Sequence, residues 1–329
     1  MKAIKTLAMA ALATAVFASC SSEDELAQNN YPMDNVVRIM TSVDGMNTRA
    51  SYGNSTDKLN SFGFCIKNAN SEKYTYDNIK VSQEGNNWIP ATQMLWQNST
   101  TAVDILAYAP YQETTEDASG KVKVFGKTDY AFSVKEDQSN AEDYSSDLIV
   151  YKQTGFKPGT ELNTSKAVDV TFTHLLSQLN LTIELRDQFN QDEKKPVTSA
   201  TVTDVKVDGT FIRSKVNFAA DPISVLRDGQ ASAAITPETV AFKKADKTTD
   251  HATFKYSAIV IPQKVIAGQL CIKFKVDGTD YIWTGTSDVE FVSGKKYDLL
   301  LLVGKDVVQG GTISATPWGD GGTGSLETD

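Results

Sequence analysis

Apolar and polar residues alternate along much of this 329-residue chain. The run Thr201-Val-Thr-Asp-Val-Lys-Val-Asp-Gly keeps a period of two and stops at a turn. Gln269-Leu-Cys-Ile-Lys-Phe-Lys-Val-Asp-Gly does the same and leads into Tyr281-Ile-Trp-Thr-Gly. Such a period puts successive side chains on opposite faces of a strand. Asp277-Gly278 between the last two runs is a hairpin signal, because a two-residue turn there needs positive φ at both positions. The same reading predicts strands at 36–43, 61–67, 101–108, 148–151, 167–172, 180–186, 252–261, 296–303 and 307–316. No segment holds a 3.6-residue period for more than about two turns. Residues 174–179 (His-Leu-Leu-Ser-Gln-Leu) could form one helical turn. Many short strands separated by Gly, Pro, Asn and Asp predict an all-β chain built of sandwiches.

The loop at 154–164, rich in Gly and Pro and without periodicity, is the expected boundary between two sandwiches, 50–165 and 166–329. Hydrophobic residues make up 40% of the chain, enough for two cores. The formal net charge is -9, without the basic footprint that nucleic-acid binding requires.

The N-terminus changes the picture. Lys2 and Lys5 precede an apolar run, Ile4 to Phe17, of signal-peptide length and too short to span a bilayer. It ends in Phe17-Ala18-Ser19-Cys20, which resembles a bacterial lipobox. Residues 1–19 are then a lipoprotein signal peptide, and Cys20 is the lipidated first residue of the exported form. Ser21-Ser-Glu-Asp-Glu25 follows. It resembles the acidic export tether of Bacteroidetes surface lipoproteins and is equally compatible with a solvated linker.

Candidate chemistry is sparse. His174 sits in an apolar run and His251 in a polar loop, with no zinc-binding pair and no GxSxG nucleophile motif. His174 is expected to be a paired core or turn residue. Cys65 and Cys271 each lie in a strand-like run. Two buried free thiols are favoured over a disulfide. Trp88, Trp96, Trp283 and Trp318 could make a sugar platform, although core and edge packing is the simpler role for them. No catalytic, cofactor-binding or metal-ligating set is nominated, and the chain is not expected to be an enzyme.

Six phrases, in order along the chain, together resemble the fimbrillin family of Bacteroidetes, the subunits of type V pili. They are the lipobox at Cys20, the Thr48-Arg49-Ala50 step, Phe172-Thr-His-Leu-Leu-Ser-Gln-Leu179, Tyr256-Ser-Ala-Ile-Val-Ile-Pro-Gln263, Gly294-Lys-Lys-Tyr-Asp-Leu299 and Ile313-Ser-Ala-Thr-Pro-Trp318. The resemblance implies two transthyretin-like β-sandwiches in tandem, no cofactor, and export to the outer membrane as a lipoprotein. It further implies cleavage by an arginine-specific protease, here after Arg49, so that Ala50 begins the mature subunit. Residues 20–49 would be tether and propeptide, and their strand would leave. The inward residues of that strand are Val36, Val37, Ile39 and Val43. The C-terminal strand of another subunit would fill the vacated groove, here the segment 307–318 with Val307, Val308, Ile313 and Trp318. Partners would be other fimbrial subunits, in a cell-surface fimbria that serves adhesion.

Elementary physics points the same way. Removing a strand exposes unpaired backbone and apolar area, an edge primed for strand addition. About four inward residues at ~1.5–3 kcal/mol each give on the order of 6–12 kcal/mol regained when a donor inserts. Gly310-Gly311 could act as a bulge or hinge in that donor. A polymerising stalk subunit fits an Arg49 cut better than an anchor, which keeps its lipid. A surface glycan-binding lipoprotein, or a tip or anchor subunit, is the alternative.

Overall fold

The computed structural model describes residues 30–43, 58–113, 124–190, 196–229, 232–245, 250–311 and 313–318. Cys20, Arg49 and Ala50 lie outside them. The chain is all-β. Its first strands are β1 (Ile39–Val43), β2 (Ser61–Lys67), β3 (Tyr76–Glu84), β4 (Asn87–Pro90), β5 (Val103–Ala109), β6 (Tyr130–Ser133), β7 (Ile149–Phe156) and β8 (Val168–His174). All but β6 form one seven-stranded sheet, in the order β1-β8-β7-β5-β2-β3-β4. Then come β9 (Ser177–Leu185), β10 (Val202–Asp208), β11 (Arg213–Asn217), β12 (Ser224–Arg227), β13 (Glu238–Lys243), β14 (Ala252–Val260) and β15 (Gln263–Val265). The last are β16 (Cys271–Val276), β17 (Thr279–Thr284), β18 (Val289–Phe291), β19 (Lys295–Val303), β20 (Val308–Gly310) and β21 (Ser314–Pro317). The largest sheet of this second group runs β13-β14-β9-β19-β20, with β21 also on β19. Smaller sheets, β10-β16-β17 and β12-β11-β6, pack around the same core.

Local sequence explains most of these elements. In β8, Val168, Val170 and Phe172 are buried while the residues between them are exposed. The β16–β17 hairpin turns on Asp277 and Gly278 at φ 50° and 82°, the mirror-image turn that a right-twisted hairpin favours. The expected helical turn at 174–179 does not form. His174 ends β8 and Ser177 opens β9, so the apolar pair Leu175-Leu176 is a buried link between two strands.

Strands β2 and β5 do not alternate, because they are buried on both faces. Phe64, Ile66, Ile105 and Ala107 belong to one core, and Cys65, Leu106 and Tyr108 to the other. The two cores therefore lie back to back across this sheet. Strand pairing also crosses the division expected at 165: β8 completes the first sheet, and β6 pairs with β11 of the second group. The first sheet curls around its own core until its edge strands approach each other, with Val36 bridging Leu95.

Candidate functional site

The first and last strands of the fold each cover the edge of a sheet, and the candidate interface is built from these two. Strand β1 pairs in parallel with β8, Ile39 opposite Val168 through Val43 opposite Phe172. Ahead of it the Arg38 carbonyl accepts a bond from Val168 N–H at 2.8 Å, and Val37 N–H donates to the Met94 carbonyl at 3.0 Å. Val37, Ile39 and Val43 are buried in the first core with Phe62, Trp96 and Phe172. Val36 is only half-buried, so three side chains rather than four anchor the segment. At ~1.5–3 kcal/mol each, their burial is worth on the order of 5–9 kcal/mol. Arg38 sits outside the strand proper, and its guanidinium meets the Asp34 carboxylate at 2.6 Å on the surface. That hydrogen bond, with a second from Val36 N–H, holds the Asp34 carboxyl down at about 2.

The C-terminal segment is in place on the edge of the second sheet. Both β20 and β21 run antiparallel to β19, Leu301 opposite Gly310 and Asp298 opposite Ser314. Those pairs are three steps apart on β19 and four on the C-terminal strand, so the register shifts by one residue between them. Gly310 is needed for fit: a Cβ there would lie 1.9 Å from Nε1 of Trp283 on β17. Among the named donor residues, Val307 is exposed, Val308 and Ile313 are partly buried, and only Trp318 is fully buried. This strand is thus held far more lightly by side chains than β1 is.

Trp318 is its anchor. The indole stacks on the His174 imidazole, with centroids 3.9 Å apart, and the backbone N–H of Trp318 donates to the Gly294 carbonyl at 2.9 Å. His174 is paired, as expected from its apolar run: its Nδ1 lies 3.0 Å from an Asp147 oxygen, and both side chains are buried. Lys296, opposite Thr316 of β21, is buried nearby, and loss of solvent pulls its ammonium below the ordinary lysine range against the attraction of Asp298 and Asp147. The phrases around His174 and Trp318 lie far apart in the sequence, and nothing in either says that the two rings meet.

The tryptophans act mainly in packing. Trp96 and Trp318 are buried, while Trp88 and Trp283 are half-buried against the two cores. Both Cys65 and Cys271 are free thiols, the first buried and the second half-buried. Among the described residues, no group of three His, Cys, Asp or Glu is placed to hold a metal ion.

Both terminal strands of this all-β chain thus lie on sheet edges. A family model described as fimbrillin-like matches residues 48–318, and the chain belongs to that family. The fold is similar to that of a cell-adhesion candidate from Bacteroides uniformis ATCC 8492, at 20% identity over 87% of this chain and 99% of the other, with a TM-score of 0.55. It is also similar to a cell-adhesion candidate from Bacteroides ovatus ATCC 8483, at 12% identity over 87% and 99%, with a TM-score of 0.61. No curated protein matches the chain. Membership of the family makes the chain a fimbrial subunit of the cell surface, one that associates with other fimbrial subunits.

Proposed function

We propose that the chain is exported to the outer membrane as a lipoprotein through Cys20, is cut after Arg49 by an arginine-specific protease, and polymerises by strand exchange. In this reading β1 leaves with the lipid anchor. The segment 307–318 of another subunit takes its place beside β8, and the filament serves adhesion. Each sandwich is then of the transthyretin-like kind, with β8 in the first and β6 in the second.

The observation that carries the reading is the unequal hold on the two terminal strands. Strand β1 buries three apolar side chains in the first core, so its loss leaves a deep apolar slot. The C-terminal strand is attached by edge pairing and one buried ring, so it is available to fill such a slot in a neighbour. Parallel pairing with β8 through five residues means that removal of β1 also bares a row of backbone groups, which strand addition satisfies. The family match begins at residue 48 and leaves β1 outside it, which also supports a separable segment.

The test is direct. Purified precursor is treated with an arginine-specific protease and followed by mass spectrometry and size-exclusion chromatography. The expected result is a new N-terminus at Ala50 and a ladder of oligomers. Arg49→Ala should leave a folded, lipidated monomer. Normal fimbriae from that variant would refute the reading.

A further inference from the structure

The curled first sheet does not quite close. At one end its two edges are joined, by the Val36–Leu95 bridge, the bond from Val37 N–H to the Met94 carbonyl and the bond from Trp96 N–H to the Asn35 carbonyl. Beyond Arg38 the edges part, and β1 and β4 face each other across an open cleft of about 780 Å³. Its walls include Arg38, Met40, Trp88, Ile89, Gln93 and Met94. Met40 on one wall is 48% exposed and Ile89 on the other 43%, so the cleft shows apolar side chains to solvent from both sides. Among the described residues β1 is laddered only to β8 and β4 only to β3. The cleft is therefore flanked by two strand edges that each lack a ladder partner, the arrangement that accepts an added strand on both sides.

We propose that this cleft is the first docking site for the C-terminal strand of a second copy of this chain, occupied while β1 is still in place. The inference rests on the strand-exchange reading above and adds a step before the strand leaves. Three features select the occupant. The segment 307–318 carries no charged side chain, and among the described residues the single charged one lining the cleft, Arg38, is already paired with Asp34. In its own fold the segment is lightly held, with Val307 53% exposed and one fully buried side chain among its described residues. The cleft is also continuous with the slot of β1, so a strand lodged there needs to move by only about one strand spacing, ~4.8 Å, to reach β8 once β1 is gone. Docking then puts the donor beside its final position before the slot opens, and exchange becomes local displacement instead of capture from solution.

The test uses full-length Arg49→Ala chain, which retains β1, and a fluorescent synthetic peptide of residues 307–318. The peptide is expected to bind the uncut chain, at least tenfold more weakly than the processed subunit. A scrambled peptide should not bind. Ile89→Lys, at an exposed position, should weaken binding to the uncut chain at least tenfold. In the processed subunit it should slow peptide uptake and leave the final amount unchanged. Binding to the processed subunit alone would overturn the docking step and leave strand exchange standing, whereas binding to neither form would overturn strand exchange itself. Equal binding of the scrambled peptide, or indifference to Ile89→Lys, would overturn the docking step.

Discussion

The indole of Trp318 lies flat on the imidazole of His174, with ring planes 2° from parallel and centroids 3.9 Å apart. His174 is the last residue of β8, the strand that carries β1, and Trp318 follows β21, the end of the C-terminal strand. The stack thus ties the last strand of the second sheet to the first sheet at the point where the two cores meet. Trp318→Ala is expected to cost about 3 kcal/mol, the low end for truncating a buried large aromatic, because an edge strand can relax. Amide hydrogen exchange checks the location: protection in 308–317 should fall at least tenfold while β1 keeps its own.

The ring that Trp318 stacks on is itself held by Asp147, whose side chain is fully buried. Asp147→Ala removes an acceptor from a site without water access. The expected loss is about 1–3 kcal/mol, the cost of leaving a buried donor less well satisfied. Asp147→Asn keeps an acceptor oxygen and should cost less. Urea midpoints of the three proteins give the order, and an Asp147→Ala protein as stable as the parent would mean that the stack holds without it.

Gly310 makes a separate demand on the C-terminal strand. The 1.9 Å approach of a Cβ to the Trp283 indole cannot be tolerated, so Gly310→Ala must lift β20 or turn the ring. Overpacking of this sort costs about 1–3 kcal/mol. The same substitution in a Trp283→Ala background should cost nearly nothing more, and the double-mutant cycle measures the difference.

Parts of this architecture were legible in the chain and parts were not, for physical reasons. The Asp277-Gly278 hairpin and the alternation through β8 were readable because turn chemistry and one-faced burial are local. β3 and β4 were not predicted: over Tyr76–Pro90 only Val81 is fully buried, so the polar run carries no period. The Gly310-Gly311 pair, read as a bulge or hinge, keeps its register with β19, and the shift comes after it. The His174–Trp318 stack was not readable, because a contact between positions so far apart depends on the whole strand order. Val36 was expected inside the core but sits half-exposed where the chain crosses from Leu95 to β8.

The approach to β1 should respond to acid. The Asp34 carboxyl is held at about 2, below its ordinary 3.8, chiefly by the hydrogen bond from Arg38. A carboxyl depressed in the folded state stabilises it above the unfolded value, and that contribution is lost as pH falls toward the folded one. The window is therefore about pH 4 down to about 2. Because the pair is on the surface, added salt should shrink the effect. Asp34→Asn should have a lower urea midpoint than the parent at pH 5, and the gap should close by pH 2. A gap that persists in acid would show that the pair contributes through something other than the carboxylate charge.

Ile39 tests whether β1 leaves the subunit on assembly, as proposed. In the uncut chain it is buried in the first core beside β8, so Ile39→Ala is expected to cost about 2–4 kcal/mol. Under the proposed strand exchange the processed subunit would lack this residue, along with the rest of β1, and its slot would hold the donor of a neighbour. The same substitution should then have no effect on the urea resistance of the assembled polymer, while the precursor unfolds at lower urea and is cut faster at any site that local opening exposes. Measuring both forms from one preparation, before and after protease, makes the comparison internal. Equal destabilisation of the precursor and the polymer would mean that β1 stays in the assembled subunit, and that subunits join by a surface other than this slot.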